Sequence, residues 1–492
     1  MSLFSWIIVV LLIATTSGVN PGVKVRLTAK GLEYGKVQVG MAAIQQNLRT
    51  IKIPDISGKK RISRIGKVKY RLSNMRILNV ELPKSAVDPV PGTGVRLAMS
   101  NAKISMRGNW RVKKSGSFDL NVDRLGVSAN IAIKSDSTGR PVVSTPSCSA
   151  SVGSVRVKFR GGASWLYNLF NKFINKALRK AMQKQICPLV SRAISGVNPQ
   201  LQTLNVLAKV DKLAEIDYSM TSSPTISKSS IDLNMKGEFY NIGRHQEPPF
   251  SPAAFSLPPQ VNKMAYIGMS AFTANSAGFV YNRAGILTLN ITDDMIPKSS
   301  PIRLNTRALG TFIPEIARRF PGLLVKMVVK TAKPPVITFQ PNNATVQTIG
   351  TITAFAIQRN TTLSPLFVLN IDTSVSAKLS INGMKVVGKV SLNRLDLTMG
   401  TSSVGQFQVR ALDNILEIVL RAVIIPLVNV KLSGGYPLPA TGKMKLMNTD
   451  LQILKVRDDI LCITRYMCWI YYITGILMRP EQSTQNIIVR MK

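Results

Sequence analysis

The chain has 492 residues but only one histidine, and it contains 64 Lys and Arg against 24 Asp and Glu. That histidine, His245, lies in a proline-rich stretch, which is a poor place to hold the geometry of a catalytic triad. The adjacent acids Asp293 and Asp294, like Asp458 and Asp459, would point to opposite faces of a strand. No Walker motif and no G-x-G-x-x-G motif occurs. The sequence therefore predicts that the protein is not an enzyme.

Cysteine is scarce as well, with four in the whole chain. There is no Cys-x-x-Cys pair and no histidine cluster, so a zinc site is not expected. In an oxidising compartment, Cys148 and Cys187 are the expected disulfide. The loop that they would close contributes roughly 3–4 kcal/mol to stability in the chain-entropy model.

The N-terminal segment indicates the compartment. Residues 6–14 are apolar without interruption, and Thr16 and Gly18 are small residues at the −3 and −1 positions of a cleavage site. An apolar stretch followed by such a cleavage site is typical of a secretory signal peptide, which we assign to residues 1–18. A transmembrane anchor is the alternative, but the apolar stretch is too short to span a bilayer. We expect a secreted, extracellular protein that begins near Val19, released directly or after storage in granules.

The positive charge, +40 overall, is concentrated in the first half of the chain. Residues 150–200 contain nine cations and no acid, and the segment GKKRISRIGKVKYR, residues 58–71, contains seven cations. Such a run is typical of a nuclear localisation signal, a nucleic-acid patch or a membrane-facing surface. Because a secreted protein meets no genome, nucleic acid is not an expected partner. A charge of this size indicates another anionic partner, although a solvated basic face is the alternative.

Most of the chain alternates apolar and polar residues, which predicts half-buried antiparallel strands. The pattern occurs in both halves, at residues 24–28, 95–100, 103–107, 118–122, 155–159, 285–290, 374–380 and 389–393. Two helices with one apolar face are predicted at 164–195 and 411–430. The first helix has the composition of one that lies on a membrane. Packing on a sheet is favoured because Cys187 would tie this helix to the preceding strand.

A proline-rich connector divides the chain. Five prolines lie between residues 240 and 260, and they cannot continue a helix or a central strand. A strand-rich region followed by a long helix lies on each side, so two similar domains are expected. We assign the N-terminal domain to 19–237, the connector to 238–262 and the C-terminal domain to 263–455.

Glycosylation sequons are confined to the C-terminal half, at Asn290, Asn343 and Asn360. If all three carry glycans, the basic surface of the N-terminal half still stays free of them.

Six segments together resemble one protein family. They are VNPGVKVRLTAKGLEY at 19–34, IKIPD at 51–55, NMKGEFY at 234–240, DDMIPK at 293–298, GTFIPE at 310–315 and GYPLP at 435–439. From residue 19 to about 454, the chain is similar to the bactericidal/permeability-increasing protein and lipopolysaccharide-binding protein family, most of all to its bactericidal members. The resemblance implies an α+β boomerang of two pseudosymmetric domains, each a twisted antiparallel β-barrel with a long packed helix, joined by a central sheet and the connector. It also matches Cys148 and Cys187 to the family disulfide.

The resemblance implies a function and its residues. Members bind lipid A, the acylated and phosphorylated glucosamine anchor of Gram-negative lipopolysaccharide, and bactericidal members disrupt the outer membrane. The lipopolysaccharide-binding residues would lie in loops at the tip of the N-terminal barrel: Lys59, Lys60, Arg61, Arg64, Lys67, Arg107, Arg111, Lys113 and Lys114. A pocket for phospholipid acyl chains would be lined by Leu169, Phe170, Phe173 and Ile174. No cofactor beyond bound phospholipid is expected, and the protein is expected to be a monomer.

Other residues near the tip have separate predicted roles. Trp110 is predicted to insert at the membrane interface. Lys69 and Arg71 are predicted to lie on the solvent-exposed face of the strand that follows the first loop. The charge favours a bactericidal protein over a lipopolysaccharide carrier or a phospholipid-transfer protein of the same fold. A binder of polyanions through charge alone is the third alternative.

The tail at 456–492 departs from the family. Residues 460–477 are mostly apolar, but Arg465 makes a transmembrane helix a poor interpretation. We favour a variant C-terminus that replaces the final strand, which predicts a disordered or badly packed tail.

Overall fold

Long antiparallel strands dominate the structure, a computed structural model of the chain. It describes residues 20–35, 53, 55–62, 66–81, 84–111, 115–161, 171–259, 262–341, 343–438, 444–456 and 458–469. The predicted signal peptide lies outside these residues. The mixture of long sheets with fewer helices confirms the predicted α+β class.

The first half of the chain, including the start of the connector, forms strands of two to 21 residues. They are β1 (Val23–Thr28), β2 (Ile56–Ile62), β3 (Gly66–Glu81), β4 (Lys84–Val90), β5 (Gly94–Arg111), β6 (Ser115–Ser135), β7 (Pro141–Arg160), β8 (Leu207–Lys209), β9 (Ala214–Asp217), β10 (Thr225–Ile226), β11 (Ser230–Met235) and β12 (Glu238–Asn241). After the connector come β13 (Ala265–Ser270), β14 (Thr288–Ile291), β15 (Leu324–Thr331), β16 (Val336–Gln340), β17 (Asn343–Ile357), β18 (Leu363–Asn382), β19 (Lys385–Ser402), β20 (Tyr436–Pro437), β21 (Met444–Val456) and β22 (Asp458–Trp469).

The described residues form fewer helices than strands. The helices are α1 (Ala29–Gly35), α2 (Asn171–Ser195), α3 (Asn198–Gln202), α4 (Ala271–Arg283), α5 (Thr306–Gly310), α6 (Pro314–Arg319), α7 (Asp413–Val419) and α8 (Ile425–Ser433). Two 3₁₀ turns, Asp293–Met295 and Val409–Leu412, and one π-helical turn, Leu420–Ile424, complete them.

Each half has one large antiparallel sheet. The N-terminal sheet has the order β2-β3-β5-β6-β7, with β4 on β5, and the C-terminal sheet has the order β14-β15-β17-β18-β19-β20, with β16 on β17. Bulges bend the N-terminal strands at Asn74, Asn101 and Arg124, where φ is 51°, 57° and 53°. A bulge increases the local twist, so these positions curl the sheet around its apolar face. Gly153 permits one of them, because a Cβ there would lie 2.6 Å from the Cβ of Arg124.

A central sheet joins the two halves, as predicted. Its strand order is β10-β11-β1-β13-β22-β21, and β1 pairs with β11 on one side and β13 on the other. Strand β22 pairs with both β13 and β21. The prediction of a disordered tail is therefore wrong for residues 458–469, which form a strand with partners on both sides. Residues 470–492 lie outside the described part of the chain.

The first predicted helix is confirmed from Asn171 onwards and packs on the N-terminal sheet. Leu178 and Met182 of α2 join the apolar cluster of β5, β6 and β7. The predicted disulfide is present, with Cys148 of β7 bonded to Cys187 of α2 and their Cα atoms 5.7 Å apart. The helix is therefore a core element, as favoured from the sequence.

The second predicted helix is interrupted. The chain forms α7, the π-helical turn Leu420–Ile424 and then α8. Pro426 lies in the first turn of α8 and has no N–H to donate to the preceding turn. A wider turn before a proline accommodates this missing hydrogen bond.

Candidate functional site

The hairpin of β2 and β3 carries the densest positive charge. In its register Lys59 lies opposite Lys69, and Arg61 lies opposite Lys67. All four side chains are exposed. Like charges directly opposite each other destabilise a hairpin, so this arrangement costs stability and indicates a binding role.

The same charge continues onto β5. Arg71 lies opposite Arg111, and Arg71 also forms an ion pair with Asp55 at 2.6 Å. A groove of about 380 Å³ runs between these strands and is lined by Ser57, Gly58, Lys59, Lys69, Tyr70, Arg71 and Arg111. The Tyr70 ring lies close over Gly58, where an added Cβ would be 2.5 Å from the Tyr70 hydroxyl oxygen.

Strands β5, β6 and β7 extend the charged surface. Asp119 of β6 lies opposite both Arg107 of β5 and Lys158 of β7. Its carboxylate accepts a hydrogen bond from Arg107 Nε at 2.8 Å and forms an ion pair with Arg160 at 2.7 Å. The Arg107 hydrogen bond and the charges of both arginines hold the pKa of the Asp119 carboxyl below its usual range. Asp119 therefore stays ionised at neutral pH.

We call this surface the cationic face. It is the outer face of β2, β3, β5, β6 and β7, and the register of the strands places the following exposed cations on it: Lys59, Arg61, Lys67, Lys69, Arg71, Arg107, Arg111, Arg156, Lys158 and Arg160. In the part of the face that the structure describes, Arg71, Arg107, Arg156 and Arg160 pair with Asp55, Asp119 or Asp123. The lysines named above, Lys59, Lys67, Lys69 and Lys158, have no ion-pair partner there.

The predicted binding residues belong to strands rather than to tip loops. Lys59, Arg61 and Lys67 lie in β2 and β3, and Arg107 and Arg111 lie in β5. Backbone pairing continues through these residues, as far as Ile62 opposite Gly66 and Arg111 opposite Ser115, which corrects the loop assignment. Lys69 and Arg71 are exposed on β3, as predicted. Other predicted residues lie outside the described part of the chain, either wholly or by their side chains: Lys60, Arg64, Lys113 and Lys114.

Sequence reasoning missed the part of the cationic face on β7. Arg156, Lys158 and Arg160 alternate with Val155, Val157 and Phe159, and the prediction recognised that strand but gave its cations no role. The signal was present, because residues 150–200 contain no acid. Only the strand order brings β7 next to β6 and β5.

Trp110 does not face the solvent. Its side chain is 2% exposed, its Nε1 donates to the Arg160 carbonyl at 3.2 Å, and its ring contacts Phe159 edge to face. The prediction of a membrane-inserting tryptophan is wrong because Arg107, Asn109 and Arg111 occupy the outer face of β5, which turns Trp110 inward.

The apolar side of the same sheet packs under α2. Phe118, Leu120 and Val122 are buried there with Leu178 of the helix. Of the residues predicted to line a lipid pocket, Leu169 and Phe170 lie outside the described residues, and the side chains of Phe173 and Ile174 are not described. The pocket stays a prediction.

The single histidine is part of a structural contact. His245 Nε2 lies 2.8 Å from Glu215 Oε1, and the imidazole stacks on the Tyr240 ring with centroids 4.6 Å apart. Within the described residues, no group of three His, Cys, Asp or Glu side chains is placed to hold a metal ion. No helix among them is both long and apolar enough to cross a membrane.

The predicted glycosylation sites differ in exposure. Asn290 and Asn360 are exposed, and the Asn360 side chain accepts a hydrogen bond from the Thr362 amide. Asn343 is half-buried at the start of β17. Glycosylation of all three stays a prediction.

Comparison with known proteins identifies the family. The N-terminal domain model of the LBP / BPI / CETP family matches residues 31–204, and its C-terminal domain model matches residues 208–463. The chain is 66% identical to a bactericidal permeability-increasing protein of Sebastes schlegelii over 92% of this chain and 97% of that one. It is 35% identical to the lipopolysaccharide-binding protein of Homo sapiens over 91% and 95% of the two chains.

A solved structure agrees with these matches. The crystal structure of a lipopolysaccharide binding protein superposes with a TM-score of 0.59 at 33% identity, covering 92% of this chain and 100% of that one. The resemblance inferred from the six sequence segments is confirmed. This chain belongs to the LBP / BPI / CETP family.

Proposed function

We propose that this chain is a secreted host-defence protein that binds lipid A of Gram-negative lipopolysaccharide and kills by disrupting the outer membrane. The observation that carries the proposal is the cationic face, where four of its five strands, β2, β3, β5 and β7, present exposed lysines and arginines on one surface. Relatives named for bactericidal permeability increase and for lipopolysaccharide binding support it.

The physical basis is the match between this face and a phosphorylated membrane surface. A Lys or Arg near an anionic membrane gains roughly 1 kcal/mol. Arginine adds bidentate hydrogen bonds to phosphate. Cations on the face would displace the ions that bridge neighbouring lipopolysaccharides, which would loosen the outer membrane. The C-terminal domain would then serve delivery or opsonisation.

Acyl chains would add the second part of the binding energy. Each buried CH₂ group contributes about 0.8 kcal/mol, so a pocket beside the cationic face would select amphiphiles over soluble polyanions. We propose that the pocket under α2 binds phospholipid or lipid A chains and that the protein acts as a monomer. The prediction that it is not an enzyme is part of this proposal.

Killing assays test the proposal. The full-length protein should kill Gram-negative bacteria at concentrations that leave Gram-positive bacteria alive. Equal potency on both would contradict recognition of lipid A.

A lipopolysaccharide carrier or phospholipid-transfer protein is the alternative, because the human relative is named for lipopolysaccharide binding alone. A carrier would bind lipid A without killing. A phospholipid-transfer protein would move phospholipid between vesicles that contain no lipid A, and neutralising the cationic face would not slow that transfer.

A further inference from the structure

The only acid on the outer face of β6 that touches two arginines is Asp119, among the residues that the structure describes. Its two carboxylate oxygens divide between them, with Arg107 on Oδ1 and Arg160 on Oδ2. The arginines come from β5 and β7, the strands on either side. One carboxylate therefore holds two guanidinium groups together across three strands.

Both arginines remain accessible to a ligand. Their side chains are 57% and 58% exposed, whereas that of Asp119 is 21% exposed. A guanidinium has five N–H donors, and the contacts with Asp119 occupy only part of this set. The carboxylate is thus less accessible than the two guanidinium groups, which keep donors that the contacts with Asp119 do not use.

Two explanations of Asp119 make opposite predictions. If it is only a counter-ion that relieves repulsion, removing its charge makes the face more positive and strengthens binding to every anion. If it positions the arginines, removing it releases two long side chains that must be ordered again when a ligand binds. Ordering each such side chain reduces affinity, and arginine gains from a fixed fork geometry.

We propose that Asp119 is a positioning residue that presents Arg107 and Arg160 as one preformed site for a phosphate group on a sugar, and so sets selectivity for phosphorylated glycolipid over other anionic lipids. This inference rests on the proposed lipid A function and adds the residue that gives the cationic face its specificity. The contact that selects phosphorylated glycolipid then lies on β5, β6 and β7. The lysines of the β2–β3 hairpin attract anionic lipids of every kind without distinguishing between them.

Asp123 provides a matched control. It lies on the same strand, and its carboxylate pairs with one arginine, Arg156, at 2.6 Å. Replacing either aspartate by asparagine changes the net charge by the same amount, but only D119N releases a pair of arginines. The variant D119E keeps a carboxylate that can reach both partners.

The experiment measures binding of the full chain to phosphatidylcholine vesicles that contain either diphosphorylated lipid A or phosphatidylglycerol, at about 0.15 M salt. We expect D119N to bind lipid A about tenfold more weakly than wild type. It should bind phosphatidylglycerol as tightly as wild type or more tightly. D123N should bind both lipids at least as tightly as wild type, and D119E should restore most of the lipid A affinity.

Thermal melting of each variant checks that the fold is intact. The inference is overturned if D119N and D123N bind lipid A alike, or if D119N weakens binding to both lipids by the same factor. If the wild-type protein binds phosphatidylglycerol and lipid A equally well, the proposed function itself is contradicted, and the role of Asp119 falls with it.

Discussion

At the scale of single residues, alternation along β5 decides which side chains can bind a ligand. Arg107, Asn109 and Arg111 are exposed, and Met106 and Trp110 are buried. The sequence contains this information, because extending the predicted strand at 103–107 by two more pairs of residues places Trp110 on the inner face. The prediction ended the strand at residue 107 and assigned a loop, because the family resemblance implied that the basic residues of 107–114 lie in a tip loop.

The first prediction concerns Trp110. Replacing it with alanine should lower the free energy of unfolding by about 3–5 kcal/mol, because a large buried side chain leaves a cavity. W110F should cost much less. Thermal melting measures the loss, and the lipid A affinity of the folded fraction should stay unchanged. A W110A protein with normal stability but reduced vesicle binding would restore the membrane-inserting role.

The second prediction concerns the like-charge pair Lys59 and Lys69. Replacing both with threonine should raise the free energy of unfolding by about 0.2–1 kcal/mol, because cross-strand repulsion is removed. The same change should weaken binding to anionic vesicles. Chemical denaturation and vesicle sedimentation measure the two effects.

The C-terminal sheet offers a control for this pair. Lys378 lies directly opposite Lys389 there. The variant K378T/K389T should gain similar stability and keep its lipid A affinity. Equal loss of binding in both variants would mean that only the total charge matters.

At the scale of secondary-structure elements, both halves attach a helical segment to a sheet through one asparagine. Asn198 of α3 accepts from the Val143 amide and donates to the Val143 carbonyl, both at 2.9 Å. Asn429 of α8 does the same with Val390, at 2.7 and 3.2 Å. Most of α8 falls in the helix predicted at 411–430 from apolar periodicity, whereas α3 was not predicted. These contacts were not predictable, because an asparagine in a helix gives no sign of the strand it will meet.

The third prediction tests this contact. The variant N429D keeps the acceptor for the Val390 amide but replaces the donor to its carbonyl with a negative oxygen. We expect the free energy of unfolding to fall by about 1–3 kcal/mol, since a buried carbonyl loses its partner. The exposed Asn382 serves as the control, and N382D should change stability by less than about 0.5 kcal/mol in a denaturant titration. Equal losses of stability in N429D and N382D would show that the hydrogen bonds between Asn429 and Val390 do not stabilise the fold.

At the scale of the whole molecule, the two halves, the connector and the central sheet were all predictable from composition and resemblance. The tail was not, because its role depends on pairing with β13, far away in sequence. The polar contacts that hold the connector could not be predicted from the sequence either. Lys236 binds Glu247 at 3.0 Å and Glu238 at 3.4 Å, and the Tyr240 hydroxyl donates to Glu247 at 2.9 Å.

The fourth prediction concerns pH. Burial, together with the neighbouring Glu247, raises the pKa of Glu238 to about 7. A carboxyl whose pKa is raised on folding binds more protons in the folded state, so its contribution to stability is full at low pH. That contribution should fall as the pH rises through about 7. The variant E238Q should lose this part of the pH dependence in melting curves between about pH 5 and 8. An unchanged profile in E238Q would contradict this origin of the pH dependence.

The central claim is that lipid A binds the cationic face, and lipid A affinity of two charge-matched variants tests it most directly. One variant replaces Lys59, Arg61, Lys67 and Lys69 with alanine. The other replaces four exposed C-terminal lysines, Lys330, Lys333, Lys378 and Lys389. We predict a loss of about 100- to 1000-fold in the first variant, from roughly 1 kcal/mol for each cation, and little change in the second. Equal losses in the two variants would contradict the claim.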